Sequence, residues 1–238
     1  MFAAPGIPKK PSGQRRLLRL PGFFVRATVL FFPAFVLLAA GVLSPGKAGA
    51  EEPVHIVAFG DSLTAGYGLA PEDALPAVLE EALKAKGYDV RVTNSGVSGE
   101  TTAGGLARLE WSLPEDADAL ILGLGGNDAL RGIRPQASEA ALNEMLTILD
   151  RRDLPVLLAG MMAPRNLGPD YQRRFDSIYP RLADKHGVVF YPFILDGVAA
   201  DPALNQPDGI HPNRQGVDII VQRMLPFVEE LIEQVRAD

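Results

Sequence analysis

The chain has 238 residues, no cysteine and a formal net charge of −6 at pH 7. The missing cysteines exclude disulfides and thiolate metal sites. The acidic balance makes the chain a poor partner for nucleic acid, which attracts clustered lysine and arginine. A chain of this length suits one domain with a full core.

The first fifty residues differ from the rest. They hold seven basic residues and no acidic one, and the uncharged run ATVLFFPAFVLLAAGVLSPG follows Arg26. Small residues then stand at Ala48 and Ala50. A basic stretch, an apolar core and an A-x-A site are typical of a secretory signal peptide. An uncleaved N-terminal anchor is the alternative, and the loose pattern around Arg15 and Arg16 leaves the export route open.

We therefore predict a signal peptide over residues 1–50, one folded domain over residues 51–238, and a periplasmic or secreted protein. Removal of the seven basic residues changes the net charge from −6 to −13. We expect a monomer with no stable membrane span after the signal peptide is removed.

Apolar runs and amphipathic segments alternate through the folded domain. Five segments, most of them apolar, are predicted to be strands, in chain order residues 54–59, 88–93, 117–126, 155–160 and 188–193. Helical spacing of apolar residues predicts helices at 75–83, 106–113, 142–149, 171–186 and 217–232. This alternation predicts an α/β fold with a parallel sheet that is covered on both faces.

Polar groups follow the predicted strands, at the edge where ligands bind in such sheets. They are GDSL at 60–63, NSGVSGET at 94–101 and GGNDAL at 125–130, with DGIHPN at 208–213 before the last helix. Each stretch alone is an acceptable turn. Four of them at strand ends indicate a functional site.

These residues fit acyl transfer. A serine such as Ser62 is a weak nucleophile and needs an adjacent base. His211 is the candidate, because the carboxylate of Asp208 can accept its Nδ1 proton and leave Nε2 free. An aspartate-initiated turn is the alternative interpretation of Asp208. The other two histidines, His55 at a strand start and His186 at a helix end, are assigned structural roles.

A tetrahedral intermediate also needs hydrogen-bond donors for its oxygen. The backbone N–H of Gly99, the side-chain amide of Asn127 and the backbone N–H of Ser62 are candidates. A glycine suits this role because it permits close approach to the backbone.

The stretches FGDSLTAGYG, NSGVSGETT, GLARL, LGLGGNDALRG and PDGIHPN resemble the SGNH (GDSL-type) hydrolases. Within that family the nearest resemblance is to the bacterial periplasmic acyl-CoA thioesterase I, arylesterase and lysophospholipase L1 subgroup. It implies a three-layer α/β/α sandwich of flavodoxin-like type with a five-stranded parallel sheet. It also implies a Ser62, His211 and Asp208 triad, an oxyanion hole of Ser62, Gly99 and Asn127, and no cofactor or metal. The implied substrate is a small-molecule ester or thioester of a lipophilic acyl group. The segment MMAPRNLGPDY is expected to help line the acyl site.

Motifs typical of two other protein classes are absent from the sequence. No G-x-S-x-G elbow and no phosphate-binding glycine motif is present. A magnesium site at Asp61, Asp128 and Asp208 explains their neighbours less well than hydrolysis does. An esterase for O-acetylated sugars and a non-catalytic binding protein on the same fold remain alternatives. Four residues near the motifs are assigned supporting or surface roles: Thr64, Tyr67, Glu100 and Arg131.

Overall fold

The computed structural model describes residues 52–237, and the predicted signal peptide lies outside the described residues. Five strands form one parallel sheet: β1 (Val54–Gly60), β2 (Val90–Gly96), β3 (Ala119–Gly123), β4 (Val156–Ala159) and β5 (Val189–Tyr191). The strand order is β2-β1-β3-β4-β5. The predicted five-stranded parallel sheet is thus confirmed.

The helices of this region are α1 (Ser62–Ala65), α2 (Leu75–Ala85), α3 (Thr102–Ser112), α4 (Gly126–Leu130), α5 (Pro135–Asp150), α6 (Pro169–Asp176), α7 (Ile178–His186) and α8 (Arg214–Ala237). Helix α2 packs against α8, whereas α5 packs against both α3 and α7. The two groups form the outer layers of an α/β/α sandwich. No helix in the described part of the chain is long and apolar enough to cross a membrane.

The core lies on both faces of the sheet. Every residue of β3 is buried, and so is every residue of β1 after Val54. Full burial of a valine, leucine or isoleucine side chain contributes about 1.5–3 kcal/mol, so these runs favour the centre of the sheet. This explains why β3 and residues 56–59 of β1 are continuous apolar sequence.

Three predicted helices differ clearly from the structure. Helix α5 begins at Pro135, seven residues before the predicted start, and proline is favoured in the first turn of a helix. Helix α3 begins four residues before the predicted start, because the Thr101 side chain accepts a hydrogen bond from the Gly104 amide and caps the helix at that point. The predicted helix 171–186 is two helices that meet at Ser177. Pro180 has no N–H to donate to the carbonyl four residues earlier, which explains the interruption.

The chain crosses from β2 back over β1 to reach β3, so the carboxyl edge between β1 and β3 is a topological switch point. In register there, Gly60 pairs with both Gly96 and Gly123. A Cβ atom at Gly96 would lie 2.3 Å from the backbone nitrogen of Ala65. The small residues therefore let α1, with Ser62 at its first position, rest directly on the sheet edge.

Candidate active site

Ser62 occupies the first turn of α1, immediately beyond β1. Asp61 caps this helix: its Oδ1 accepts a hydrogen bond from the Leu63 amide at 3.1 Å, and its carbonyl accepts one from the Ala65 amide at 2.9 Å. The first N–H groups of a helix have no partner within the helix. The Ser62 amide is thus available to an oxygen that approaches from the cavity.

The structure brings together the three residues that the sequence predicted as a triad. The Nε2 atom of His211 lies 2.8 Å from the Oγ atom of Ser62, across 149 positions of sequence. The Nδ1 atom of His211 lies 2.7 Å from Oδ2 of Asp208. The other oxygen of Asp208 accepts hydrogen bonds from the amides of His211 and Ile210.

The charge of Asp208 decides the tautomer of the imidazole. Its hydrogen bond from the His211 amide, its bond with the His211 ring and a third from the Ile210 amide lower the pKa of Asp208 to about 2. An ionised carboxylate accepts hydrogen bonds and cannot donate one. The His211 Nδ1–H therefore donates to Asp208, and Nε2 is free to accept the Ser62 hydroxyl proton.

The predicted oxyanion donors also lie at this edge. Gly99 has a φ angle of +81°, which residues other than glycine rarely adopt. The Arg131 guanidinium donates a hydrogen bond to the Gly99 carbonyl at 2.7 Å. Within residues 52–237 no group accepts a hydrogen bond from the Gly99 amide. The Nδ2 atom of Asn127 donates one hydrogen to Asp61 Oδ2 at 3.2 Å, which leaves its second hydrogen unused.

A cavity of about 1070 Å³ opens beside Ser62 and His211, and Gly99 and Asn127 also line it. Much of the remaining wall is apolar, formed by Leu63, Leu130, Met161, Met162, Ala163, Pro164, Phe193, Leu195 and Ile210. Its volume is at the upper end of typical small-molecule sites. The segment predicted to line the acyl site contributes to this wall.

Two carboxylates that face the cavity have raised pKa values. Burial raises the pKa of Asp61 to about 6, although hydrogen bonds from Leu63 and Asn127 oppose the shift. Burial also raises the pKa of Asp176, against a hydrogen bond from the Ala163 amide. Both shifts arise because an apolar environment disfavours the charged form.

A buried arginine supports the strand ends, and the sequence did not predict its role. The Arg108 guanidinium forms an ion pair with Glu100 and donates hydrogen bonds to the carbonyls of Gly60 and Ser95, at 3.2 and 2.8 Å. It also lies 3.8 Å from the centre of the Phe59 ring. The GLARL stretch contains the residue, but its ion-pair and carbonyl partners lie outside that stretch, 8 to 48 positions away.

Tyr67 contacts the imidazole directly. Its ring centre lies 4.6 Å from that of His211, with the planes 37° apart. From the sequence, only a supporting or surface role is predicted for Tyr67. The other histidines lie outside this cluster: His55 is buried between Asp116 and Thr93, and His186 at the end of α7 contacts Asn143.

The aspartates considered for a magnesium site are engaged elsewhere. The Asp128 carboxylate accepts hydrogen bonds from the amide and hydroxyl of Thr102 and from the Ser138 hydroxyl. Asp208 is bound to His211. Within the described residues, no group of three or more histidine, cysteine or acidic side chains is arranged to hold a metal ion.

A serine hydroxyl, an imidazole and a carboxylate joined by hydrogen bonds are the side-chain arrangement of serine hydrolases. Here that arrangement lies at the carboxyl edge of a parallel sheet. Residues 58–219 match the GDSL-like Lipase/Acylhydrolase family. The chain belongs to this family, which confirms the resemblance drawn from its motifs.

The chain is similar to several characterised relatives. It is 36% identical over 178 residues to Esterase TesA of Pseudomonas aeruginosa, covering 74% of this chain and 89% of the relative. It is also 36% identical over 192 residues to Thioesterase 1/protease 1/lysophospholipase L1 of Escherichia coli K12, covering 80% and 90%. The crystal structure of AlinE4, an SGNH-hydrolase family esterase, has 47% identity and a TM-score of 0.64, covering 75% of this chain and 96% of that one.

Proposed function

We propose that this protein is an exported serine esterase and thioesterase that acts on lipophilic acyl groups through an acyl-enzyme. The observation that carries the proposal is the hydrogen-bond chain from Asp208 through His211 to Ser62, with distances of 2.7 and 2.8 Å. A complete chain of this kind also argues against a non-catalytic binding protein.

In the acylation step, the Ser62 oxygen attacks the carbonyl carbon while its proton passes to Nε2 of His211. The negative charge that develops on the carbonyl oxygen is stabilised by the Ser62 and Gly99 amides and the free Asn127 hydrogen. Loss of one such donor typically costs about 2.7–4 kcal/mol of barrier stabilisation. Asp208 stabilises the imidazolium that forms.

The intermediate then collapses, and the bond to the alcohol or thiol leaving group breaks. His211 donates its proton to that group, and the acyl chain remains on Ser62. In the second half a water molecule gives its proton to His211 and attacks the acyl carbon. The carboxylic acid leaves, and the proton returns to the Ser62 oxygen.

The acyl group is proposed to be lipophilic because the cavity beside Ser62 is large and mainly apolar. The name of the E. coli relative, which includes thioesterase and lysophospholipase, supports the same substrate class, and the name of the P. aeruginosa relative supports an esterase. An acetyl group would fill little of a cavity of about 1070 Å³, which disfavours an esterase for O-acetylated sugars.

Labelling with a fluorophosphonate probe and ester hydrolysis test the proposal together. Wild-type protein should form an adduct on the peptide that contains Ser62, and Ser62→Ala and His211→Ala should abolish both the adduct and p-nitrophenyl ester turnover. His186→Ala is the matched control, because it removes a histidine outside the site. Turnover retained by folded Ser62→Ala would refute the assignment of the nucleophile.

A series of p-nitrophenyl esters from acetyl to palmitoyl tests the substrate class. We expect kcat/KM to rise with chain length beyond acetyl, because added methylenes bury apolar surface in the cavity. A maximum at acetyl would favour the sugar-ester alternative.

For export, secretion of the full chain should yield a mature protein that begins at Glu51, whereas an uncleaved leader would indicate an N-terminal anchor.

A further inference from the structure

The segments that carry Ser62 and His211 are distant in sequence, and neither residue lies on a strand. Their contact nevertheless measures 2.8 Å. Catalytic geometry generally has to be held within about 0.5 Å by surrounding packing and hydrogen bonds. Some contact outside the triad must therefore join these two segments.

The Gln206 side chain makes this connection. Its Nε2 atom donates one hydrogen bond to the Tyr67 carbonyl at 2.7 Å and another to the Pro212 carbonyl at 3.0 Å. Tyr67 lies just beyond α1, and its amide donates to the Ser62 carbonyl at 3.1 Å. Pro212 directly follows His211. One amide group thus uses both of its hydrogens to tie the nucleophile segment to the histidine segment.

The backbone of Gln206 is fixed to the histidine segment as well. Its amide donates to the His211 carbonyl at 2.7 Å, and its carbonyl accepts from the Gly209 amide at 2.9 Å. The preceding residue, Asn205, forms an antiparallel bridge with Pro212. The turn that presents Asp208 and His211 is therefore closed on Gln206 itself.

The packing around the Gln206 amide is close. A Cβ atom at Gly68, where φ is +74°, would lie 2.2 Å from Gln206 Oε1. Since the same amide holds the Tyr67 carbonyl, it also holds the residue whose ring packs on the His211 imidazole. Loss of these hydrogen bonds would let the Ser62–His211 distance vary and would weaken the contact between the Tyr67 and His211 rings.

We propose that Gln206 is a positioning residue that sets the distance and orientation of His211 relative to Ser62. The inference rests on the proposed serine hydrolase function. Gln206 is not among the residues that line the cavity beside Ser62. Both hydrogens of its side-chain amide are bound to backbone carbonyls of the two segments, so it has no donor left for substrate, and its loss should change kcat more than KM.

The test compares Gln206→Met, which keeps the length of the side chain without its donors, with Gln206→Glu, whose carboxylate would face two carbonyl oxygens. Gln222→Met, at an exposed position on α8, is the matched control. Displacing a catalytic group by about 1 Å can cost on the order of 10²-fold in rate. We expect kcat to fall about 10- to 100-fold in Gln206→Met and further in Gln206→Glu, with KM within about twofold of wild type.

The rate of fluorophosphonate labelling of Ser62 should fall in the same order, because it needs the same alignment without substrate binding. Circular dichroism and urea titration establish that the variants are folded. Wild-type kcat and labelling rate in folded Gln206→Met would overturn the proposal, and so would failure of both variants to fold, which would assign Gln206 to stability alone. If the wild-type protein is not labelled at Ser62, the proposed function fails instead.

Discussion

A substitution at Asp61 tests the site quantitatively, because its carboxylate is buried and also accepts a hydrogen bond from the Asn127 side chain. Only 2% of the residue is exposed, and burial raises its pKa from an ordinary value of 3.8 to about 6. One pKa unit corresponds to about 1.4 kcal/mol. The ionised carboxylate therefore lowers the free energy of unfolding by about 3 kcal/mol above pH 6.

The direction in which Asp61 changes stability with pH follows from proton binding in the folded and unfolded states. Between pH 3.8 and about 6 the folded state binds the Asp61 proton more tightly than the unfolded chain does. Stability from this group is therefore full below pH 3.8 and is lost as the pH rises through 6. Asp61→Asn removes the charge and this pH dependence, and its side-chain oxygen can still accept from the Leu63 amide.

The substituted amide would, however, direct N–H groups at the Asn127 amide, which at present donates to Asp61. Replacing that hydrogen bond by two opposed donors costs about 1 kcal/mol. We expect a net gain of about 2 kcal/mol in the free energy of unfolding at pH 8, and little or no gain at pH 4. The displaced Asn127 donor should lower kcat by up to about 10²-fold.

Urea titrations at pH 4 and pH 8, with ester turnover at pH 8, measure both effects. Asp89→Asn is the control for loss of one exposed carboxylate. A variant that is destabilised at pH 8, or whose gain is equal at both pH values, would refute the argument from burial. Full activity in Asp61→Asn would show that Asn127 does not depend on the Asp61 carboxylate.

Three further substitutions test other parts of the site. Asp208→Asn should lower kcat by about 10⁴-fold with KM little changed, because it favours the wrong imidazole tautomer; steady-state kinetics measure this. Arg108→Met leaves Glu100 buried without its partner and should lower the free energy of unfolding, measured by urea titration, by about 3–5 kcal/mol. Adding Glu100→Gln should recover part of this loss. Gly96→Ala places a Cβ atom 2.3 Å from the Ala65 nitrogen. It should therefore lower the free energy of unfolding by about 1–3 kcal/mol, and it should lower kcat because it displaces α1.

The sheet and the triad could be predicted because their signals are local. Buried parallel strands appear as continuous apolar runs, and the polar stretches that follow them meet at one edge. The interval of three residues between Asp208 and His211 allowed a contact within one turn, and the structure has it at 2.7 Å. Only the approach of Ser62 to His211 depended on the whole fold, because the two residues lie 149 positions apart and His211 is on the segment before α8.

What the sequence did not predict has two physical causes. Helices α1 and α4 have four and five residues, too few for an apolar period to appear. Arg108 and Gln206 each act on one backbone carbonyl that is distant in sequence, 48 and 139 positions away, as well as on a nearer one. A carbonyl belongs to every residue, so nothing in the acceptor's identity marks the contact.

These contacts share a design that bears on how the site tolerates change. Arg131 holds the carbonyl of Gly99, Gln206 holds that of Tyr67, and Arg108 holds two carbonyls at strand ends. Each donor is a long side chain, whereas each acceptor is main chain. Replacing a donor removes the contact, while replacing an acceptor residue keeps its carbonyl. Alignment of the site should therefore be more sensitive to the three donors than to the side chains of the residues they hold.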